Sequence, residues 1–177
     1  MIRITGGKNR SRLLETPATE LTKPTMDKVR SAVFNIINEK VNGSKILDLF
    51  AGSGSYGFEA LSRGATSATF VDKGYEAIKT IKNNALLLKE NNVEIVKSDV
   101  IQFLESTSGK YDIVFADPPY KLDIYSKVVK TLLEKKLLND GAIIVLESEN
   151  NLDIDETKFK KVSQYKYGLA KIYVLRN

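Results

Sequence analysis

The sequence predicts an α/β fold built on a mostly parallel, seven-stranded sheet with helices on both faces. From residue 45 onward, short apolar stretches typical of buried strands alternate with amphipathic stretches typical of helices, which is the pattern of a parallel sheet. The last two strand-like stretches have no helix between them, so they predict a C-terminal antiparallel hairpin. A short basic β-ribbon and one helix precede residue 45, and we expect them to form a small N-terminal addition.

The N-terminal addition is predicted from two patterns. Residues 2–16 alternate apolar and polar side chains on either side of a Gly-Gly pair, which favours a β-ribbon. Thr25 is a candidate helix N-cap, and apolar residues recur at helical spacing from Val29 to Val41. We therefore expect one helix there, ended by the Asn-Gly pair that follows.

The sheet and its covering helices are predicted from alternating periodicity. The predicted parallel strands are 45–50, 68–72, 93–97, 111–116 and 142–147, and the predicted hairpin strands are 159–165 and 169–175. The predicted helices are 56–63, 75–89 and 123–138. The short apolar strands are typical of a sheet that is buried on both faces.

A glycine-rich turn follows the first strand of the sheet. Glycines at a strand-to-helix junction let a ligand approach the backbone and leave helix N–H groups facing it. The spacing of Gly52, Gly54 and Gly57 matches the dinucleotide fingerprint, and Asp72 follows Gly52 by 20 residues at the end of the second strand. An NAD site is therefore one interpretation of this turn.

Asp48 favours a different ligand. A carboxylate at the end of the first strand would repel a pyrophosphate, but it suits a ligand with a positive end, such as the amino group and sulfonium of S-adenosyl-L-methionine. Asp72 can accept ribose hydroxyls in either case, and Asp99 could accept from an adenine amino group. The predicted cofactor-binding residues are Asp48, Phe50, Ala51, Gly52, Ser53, Gly54, Asp72, Lys73, Asp99 and Val100.

The turn after the fourth strand reads Asp117-Pro118-Pro119-Tyr120 and lies where open α/β sheets bind ligands. The exocyclic amine of a base is a poor nucleophile, because its lone pair is delocalised into the ring. Asp117 and the Pro118 carbonyl can accept its two N–H groups and aim the lone pair at an electrophilic methyl. Two prolines keep the turn rigid, and Tyr120 can stack on a base swung out of its helix. These four residues are the predicted catalytic residues.

The composition excludes several kinds of site. The chain has no Cys and no His, which excludes the usual zinc sites, Ser-His-Asp triads, cysteine nucleophiles and a histidine general base. A chemical step must then depend on carboxylates, Lys, Tyr, backbone groups or a cofactor that brings its own reactivity. No apolar run approaches the roughly 20 residues of a membrane span, and we see no signal peptide. We expect a cytoplasmic protein without metal or membrane contact, and a monomer is the simple default.

The positive charge is concentrated at the N-terminal end. The net charge is +5, and residues 1–44 hold eight Lys or Arg against four Asp or Glu. A polyanionic partner such as RNA is one interpretation, and a solvated basic face is the other. We divide the chain into a basic extension, 1–22, and a main domain, 23–177. The predicted RNA-binding residues are Arg3, Lys8, Arg10, Arg12, Lys23 and Arg30.

Together these motifs resemble those of the class I, Rossmann-like methyltransferases that use S-adenosyl-L-methionine, and more closely the RsmD-type 16S rRNA (guanine-N2)-methyltransferases. The similarity covers nearly the whole chain, and its N-terminal segments are the specific part, because many methyltransferases share the glycine turn. One departure is Ser31, where we expect Glu from the family pattern. The matching segments are 3–7, 10–12, 23–30 with Phe34-Asn35, 48–54, 59–64, 117–120 and 147–149.

The resemblance implies the transfer of a methyl group from S-adenosyl-L-methionine to the N2 amine of a specific guanine in 16S rRNA. It also implies that the substrate is the small ribosomal subunit or its assembly intermediate. The missing cysteine independently removes the covalent route to pyrimidine C5 methylation. The basic ribbon would supply phosphate contacts, which position RNA without reading its sequence.

Other functions fit part of the sequence. A DNA adenine-N6 methyltransferase also uses an Asp-Pro-Pro-Tyr turn, but it usually carries a target-recognition domain for which we find no spare length. A protein glutamine-N5 methyltransferase usually has Asn where this chain has Asp117. A non-catalytic RNA-binding assembly factor on the same fold would explain the basic ribbon, but not the intact turn.

Overall fold

The computed structural model describes residues 1–18, 25–119 and 122–177, so predictions for Lys23 and Tyr120 lie outside the described residues. Two segments precede the main sheet: a two-stranded ribbon and a helical pair. In chain order the elements are β1 (Ile2–Arg3), β2 (Leu13–Leu14), α1 (Thr25–Ile36), α2 (Asn38–Val41), β3 (Lys45–Leu49), α3 (Ser55–Ser62), β4 (Ser67–Asp72), α4 (Tyr75–Leu88), β5 (Val93–Lys97), α5 (Val100–Ser106), β6 (Tyr111–Ala116), α6 (Leu122–Glu134), β7 (Leu138–Ser148), a 3₁₀ turn (Glu156–Lys158), β8 (Lys161–Tyr167) and β9 (Ala170–Arg176).

The seven strands lie in the order β5-β4-β3-β6-β7-β9-β8. The strands β3 to β7 are parallel, whereas β9 is antiparallel to both β7 and β8. The predicted parallel sheet with a C-terminal hairpin is therefore confirmed. The chain reverses its direction of travel across the sheet between β3 and β6, and this switch point opens the crevice in which open α/β sheets bind ligands.

Alternate residues of the central strands form two separate cores. On one face, Ile113 and Phe115 pack with the ribbon and with α1, α3 and α4. On the other face, Val114 and Ala116 pack with α5 and α6. This alternation follows from the two-residue period of a strand, and it confirms helices on both faces. Within the described parts of the chain, no helix is long and apolar enough to cross a membrane.

The basic ribbon is docked tightly on the main sheet's covering helices. Its strands pair antiparallel, with Ile2 opposite Leu14, and both side chains are buried in the core that contains α1 and α3. The tip of the ribbon passes so close to α3 that a Cβ on Gly7 would lie 1.8 Å from the Ser62 carbonyl oxygen. Gly7 also has a φ of 74°, so a side chain is excluded there on both counts.

The largest differences from the predicted elements concern the first helix, the boundary between α6 and β7, and α5. The predicted helix through Val41 is divided at Ile37 into α1 and α2. The last helix ends at Glu134, since Lys136 has a φ of 55°, and β7 consequently starts at Leu138. The helix α5 was not predicted, because its seven residues are too few for a helical period to stand out.

Candidate active site

The carboxyl ends of the five parallel strands bring acidic residues to one edge of the sheet. Asp48 belongs to β3 and Asp72 to β4, while Asp99 follows β5 by two residues. Asp117 directly follows β6, and Glu147 is the penultimate residue of β7. The structure therefore brings four predicted site carboxylates to one edge, together with a fifth that the sequence did not single out as a site residue.

The glycine turn between β3 and α3 has an unusual backbone conformation. Phe50, Gly52 and Gly54 have φ values of 57°, 55° and 76°, so three of five consecutive residues are left-handed. Glycine adopts this conformation without strain, but for Phe50 it costs about 1–2 kcal/mol. Strain of this kind is typical of ligand-binding turns. The geometry fits a backbone loop that closes around a ligand.

Asp48 is 3% exposed and lies directly below the start of α3. Its Oδ2 atom accepts a hydrogen bond of 2.9 Å from the N–H of Gly57. A Cβ on Gly57 would lie 2.3 Å from the Phe70 ring and 3.2 Å from that oxygen, so only glycine permits the contact. The carboxylate is thereby fixed in the crevice, where it favours a positively charged ligand group.

Asp72 joins the glycine turn to the start of α4. Its Oδ2 accepts from Gly52 N–H at 2.9 Å, and its Oδ1 accepts from Gly74 N–H at 2.8 Å. A carboxylate has about four acceptor positions, so its predicted contact with ribose hydroxyls is compatible with both bonds. Lys73 beside it is exposed.

Asp99 has a structural role that its position alone did not reveal. Its Oδ1 caps α5 by accepting from the N–H groups of Ile101 and Gln102, at 2.9 and 3.2 Å. The side chain of Val100 is 3% exposed and packs in the core, so a ligand could reach only its main-chain atoms. The predicted adenine contacts of both residues stay predictions.

The Asp-Pro-Pro turn leaves the sheet beside β7. Ala116 lies opposite Leu146 in the parallel register, which places the following residues, Asp117 and Glu147, side by side. Asp117 and Pro119 are exposed, while Pro118 between them is buried. The turn is therefore anchored at its centre, and Asp117 is accessible from solvent.

Tyr56 and Glu147 form a pair at this edge that the sequence analysis missed. The Tyr56 hydroxyl donates to Oε2 of Glu147 at 2.6 Å, and its ring stacks on Phe115 with centroids 4.8 Å apart. Burial, followed by the negative charge of Glu147, raises the pKa of Tyr56 well above its ordinary range. Tyr125 donates at 2.6 Å to the Glu147 carbonyl, and burial raises its pKa to about 12. Both phenols therefore stay protonated donors.

The N-terminal basic residues have different surroundings. Arg10 is exposed, Lys8 pairs with Glu90 at 2.9 Å while staying 62% exposed, and Arg12 donates to the Leu87 carbonyl at 2.7 Å. Arg3 is also exposed. These four side chains stand on the outer surface of the ribbon and its tip.

Arg30 was predicted to contact RNA, and the structure contradicts this. Its side chain is 2% exposed and pairs with Glu59 at 3.2 Å and with Asp27 at 2.9 Å. It also donates to the main-chain carbonyl of Arg3. The buried guanidinium bonds to three acceptors and so holds α1, α3 and the ribbon together. It is not accessible to an RNA phosphate.

Asn84 of α4 ties the ribbon to the glycine turn. It is completely buried, and its Nδ2 donates to the carbonyls of Ser53 and Glu15, both at 3.0 Å. Its Oδ1 accepts from Glu15 N–H at 2.8 Å. One side chain thus satisfies main-chain groups of both segments.

Replacing Asn84 by alanine should lower the free energy of unfolding by about 1–3 kcal/mol, because buried main-chain groups lose their partners. It should also weaken binding of S-adenosylhomocysteine, the demethylated form of the predicted cofactor, by about tenfold, because fewer molecules keep the binding-competent turn. Urea unfolding and calorimetric titration measure the two effects. Asn83→Ala is the control, since Asn83 is exposed and donates to the Glu15 carboxylate instead of a main-chain group of the glycine turn. Equal effects of both variants would contradict this role.

Comparisons with known proteins agree over the length of the chain. The family model described as conserved hypothetical protein 95 matches residues 2–176. Ribosomal RNA small subunit methyltransferase D of Buchnera aphidicola is 35% identical over 86% of this chain and 78% of that protein. The putative rRNA methyltransferase YlbH of Bacillus subtilis is 33% identical over 99% and 98%.

Two solved structures have the same architecture. The putative methyltransferase yhhF from Escherichia coli superposes with a TM-score of 0.86 at 29% identity, covering 99% of this chain and 97% of that one. The 16S rRNA N2 G1207 methyltransferase RsmC of Thermus thermophilus, solved with AdoMet and guanosine, superposes with a TM-score of 0.74 at 19% identity, covering 92% and 45%. The predicted class I methyltransferase fold is thereby confirmed.

Proposed function

Because the chain belongs to the conserved hypothetical protein 95 family, and its resemblance to RsmD-type methyltransferases is confirmed, we propose that it methylates the N2 amine of a guanine in 16S rRNA. The methyl donor is S-adenosyl-L-methionine. One observation carries the proposal: the Asp117-Pro118 acceptors stand at the same sheet edge as the glycine turn that holds Asp48. Hydrogen-bond acceptors for the target amine and a site for a positively charged methyl donor would thus share one crevice.

The residues present fit this cofactor. The buried Asp48 carboxylate offers a negative partner, and the cradle at Gly57 leaves no room for a Cβ beside it. Asp48 would hold the positive end of the cofactor, and Asp72 would accept its ribose hydroxyls. The main chain of the strained glycine turn would pack against the cofactor. When bound, S-adenosyl-L-methionine supplies an electrophilic methyl group and needs no cysteine or histidine to activate it.

The Asp-Pro-Pro turn would prepare the nucleophile. The Asp117 carboxylate and the Pro118 carbonyl accept the two N–H groups of the amine, which localises its lone pair toward the methyl. Since Asp117 is exposed, it can take the proton released after transfer and pass it to water. Orientation and charge stabilisation together are the main sources of rate in such a site.

The substrate is proposed to be 16S rRNA in the small ribosomal subunit or its assembly intermediate, met by a monomeric enzyme in the cytoplasm. The exposed basic residues of the ribbon support an RNA partner. The deciding experiment incubates the protein with methyl-labelled S-adenosyl-L-methionine and small subunits from a strain that lacks the gene, and identifies the labelled nucleoside by mass spectrometry. We expect N2-methylguanosine. Label in any other nucleoside, or binding of S-adenosylhomocysteine without methyl transfer to the rRNA, would overturn the proposal.

The ribbon's part in RNA binding can be tested by charge reversal. Arg10→Glu combined with Arg12→Glu should weaken binding to 16S rRNA and lower the slope of log Kd against log salt by about 0.7–0.9 for each phosphate that the variant no longer neutralises. Filter binding across a salt series measures both. The control is the same change to glutamate at Lys160 and Lys161. Both are exposed, and they lie at the start of β8, which is an edge strand of the main sheet. An unchanged salt slope in the ribbon variant would contradict the prediction.

A further inference from the structure

Glu147 lies where its carboxylate could accept a hydrogen bond from the target base. The parallel register of β6 and β7 continues from Ala116 and Leu146, so Asp117 and Glu147 leave neighbouring strands side by side. Neighbouring strands are about 4.8 Å apart. Two acceptors at this spacing can both reach one edge of a single base. Glu147 alternates with the buried Leu146, which puts it on the same sheet face as Phe115 and Tyr56.

The Glu147 carboxylate is held by an aromatic neighbour. Tyr56 donates to it at 2.6 Å, and the Tyr56 ring is fixed by stacking on Phe115 and by contact with Phe34 at 6.3 Å between centroids. Tyr56 lies in the first turn of α3, two residues after Gly54. The pair therefore connects the helix after the glycine turn with the end of β7, and it fixes an acceptor group on the strand next to Asp117.

Methylation of an amine by an Asp-Pro-Pro turn does not by itself choose the base. Adenine N6, cytosine N4 and guanine N2 are all exocyclic amines. The ring nitrogens beside the amine distinguish the bases: guanine has the protonated N1 on one side of its amine, whereas the ring nitrogen beside the amine of adenine or cytosine is an acceptor. A carboxylate beside the amine attracts the N1–H of guanine and repels the lone pair of the other bases.

We propose that Glu147 selects guanine by accepting a hydrogen bond from its ring N1–H, while Tyr56 is a positioning residue that orients the carboxylate. This inference rests on the proposed function, because it assigns the specificity of the same site. Asp117 and Pro118 then engage the amine, and Glu147 engages its neighbour on the base edge. Adenine and cytosine would leave the Glu147 carboxylate facing an acceptor, which a desolvated site rejects strongly.

The test changes the hydrogen on the ring nitrogen and keeps the amine. After the methylated nucleotide is mapped, it is replaced in 16S rRNA by 2-aminopurine riboside, which has the 2-amine but an unprotonated N1, and small subunits are assembled from this RNA. The single-turnover rates of methylation of the two substrates are compared. We expect the wild-type protein to favour guanosine by about 100-fold.

The variant Glu147→Gln separates the N1 contact from any contact to the guanine O6, which 2-aminopurine also lacks. The glutamine amide can donate to an unprotonated N1, so the preference for guanosine should fall below about tenfold. The variant should also methylate the 2-aminopurine substrate faster than the wild-type protein does. Tyr56→Phe should reduce the preference for guanosine less than Glu147→Gln does. Binding of S-adenosylhomocysteine should be unchanged in both variants. Glu105→Gln, the same change at an exposed position of α5, should behave as wild type.

The outcomes separate the two proposals. If wild-type protein leaves no N2-methylguanosine in native subunits, the proposed function fails. If it does methylate guanosine, the inference alone is overturned by any of three results. These are equal wild-type rates on the two substrates, an unchanged preference in Glu147→Gln, or loss of both substrates in that variant with intact S-adenosylhomocysteine binding.

Discussion

Replacing Asp117 by alanine is expected to lower the rate of methyl transfer by about 10²–10³-fold. The carboxylate is the exposed acceptor of the Asp-Pro-Pro turn, and losing one preorganised hydrogen-bonding partner of the reacting group has this effect in other enzymes. Single-turnover transfer of labelled methyl to small subunits measures the change. Binding of S-adenosylhomocysteine should stay within about twofold, because the predicted cofactor contacts are made by β3, β4 and the segment after β5.

Asp117→Asn is the informative companion variant. Its amide keeps one acceptor oxygen but cannot take a proton, so we expect a rate between those of wild type and Asp117→Ala. If the alanine variant transferred methyl at the wild-type rate, the turn would not activate the amine. If S-adenosylhomocysteine binding fell in parallel with the rate, the effect of Asp117 would be on the cofactor site instead.

Replacing Glu59 by glutamine is expected to lower the free energy of unfolding at pH 7 by about 3–5 kcal/mol. Glu59 is completely buried and accepts from the Thr5 N–H and hydroxyl at 2.8 and 2.7 Å, from Arg63 at 2.8 Å and from Arg30 at 3.2 Å. Among the described residues, the neutral amide would leave the buried Arg30 guanidinium with the partly exposed Asp27 as its remaining acidic partner, beside the Arg3 carbonyl. Urea unfolding measures the loss.

The same comparison has a defined pH dependence. Burial alone raises the pKa of Glu59, but the hydrogen bonds from Thr5 and Arg63 and the Arg30 charge outweigh it and lower the pKa below 4.5. The stabilisation is therefore fully present above pH 4.5 and is lost as the pH falls through the lower folded-state value. The difference between wild type and Glu59→Gln should shrink in acid.

The control for Glu59 is Glu134→Gln. Glu134 is 64% exposed and meets Lys130 at 3.8 Å, so its loss should cost under about 1 kcal/mol. A pH-independent difference between wild type and Glu59→Gln, or equal effects at the two positions, would contradict the role assigned to the buried carboxylate.

The sheet and its glycine turn could be predicted because their signals are local. Asp48 and the glycines after it are neighbours in sequence, and strand periodicity needs only a few residues. The position of Arg30 could not be predicted, since its burial depends on Glu59, which is 29 residues away. The pair of Tyr56 and Glu147, 91 residues apart, is created only by the order of strands in the sheet. Short elements such as α5 carry too little periodic signal of their own.

The docking of the ribbon determines when the N-terminus can fold during translation. Arg30 of α1 bonds the ribbon from 27 positions downstream, but the hydrogen-bonding partners in α3 and around the end of α4 lie 53 to 82 positions downstream, for example Ser62 for Asn9 and Glu90 for Lys8. At about 5–20 residues per second, several seconds separate the emergence of the ribbon from that of its docking helices. Until then the nascent chain exposes Ile2, Ile4 and Leu14, so the first segment to leave the ribosome is among the last of the N-terminal half to become native.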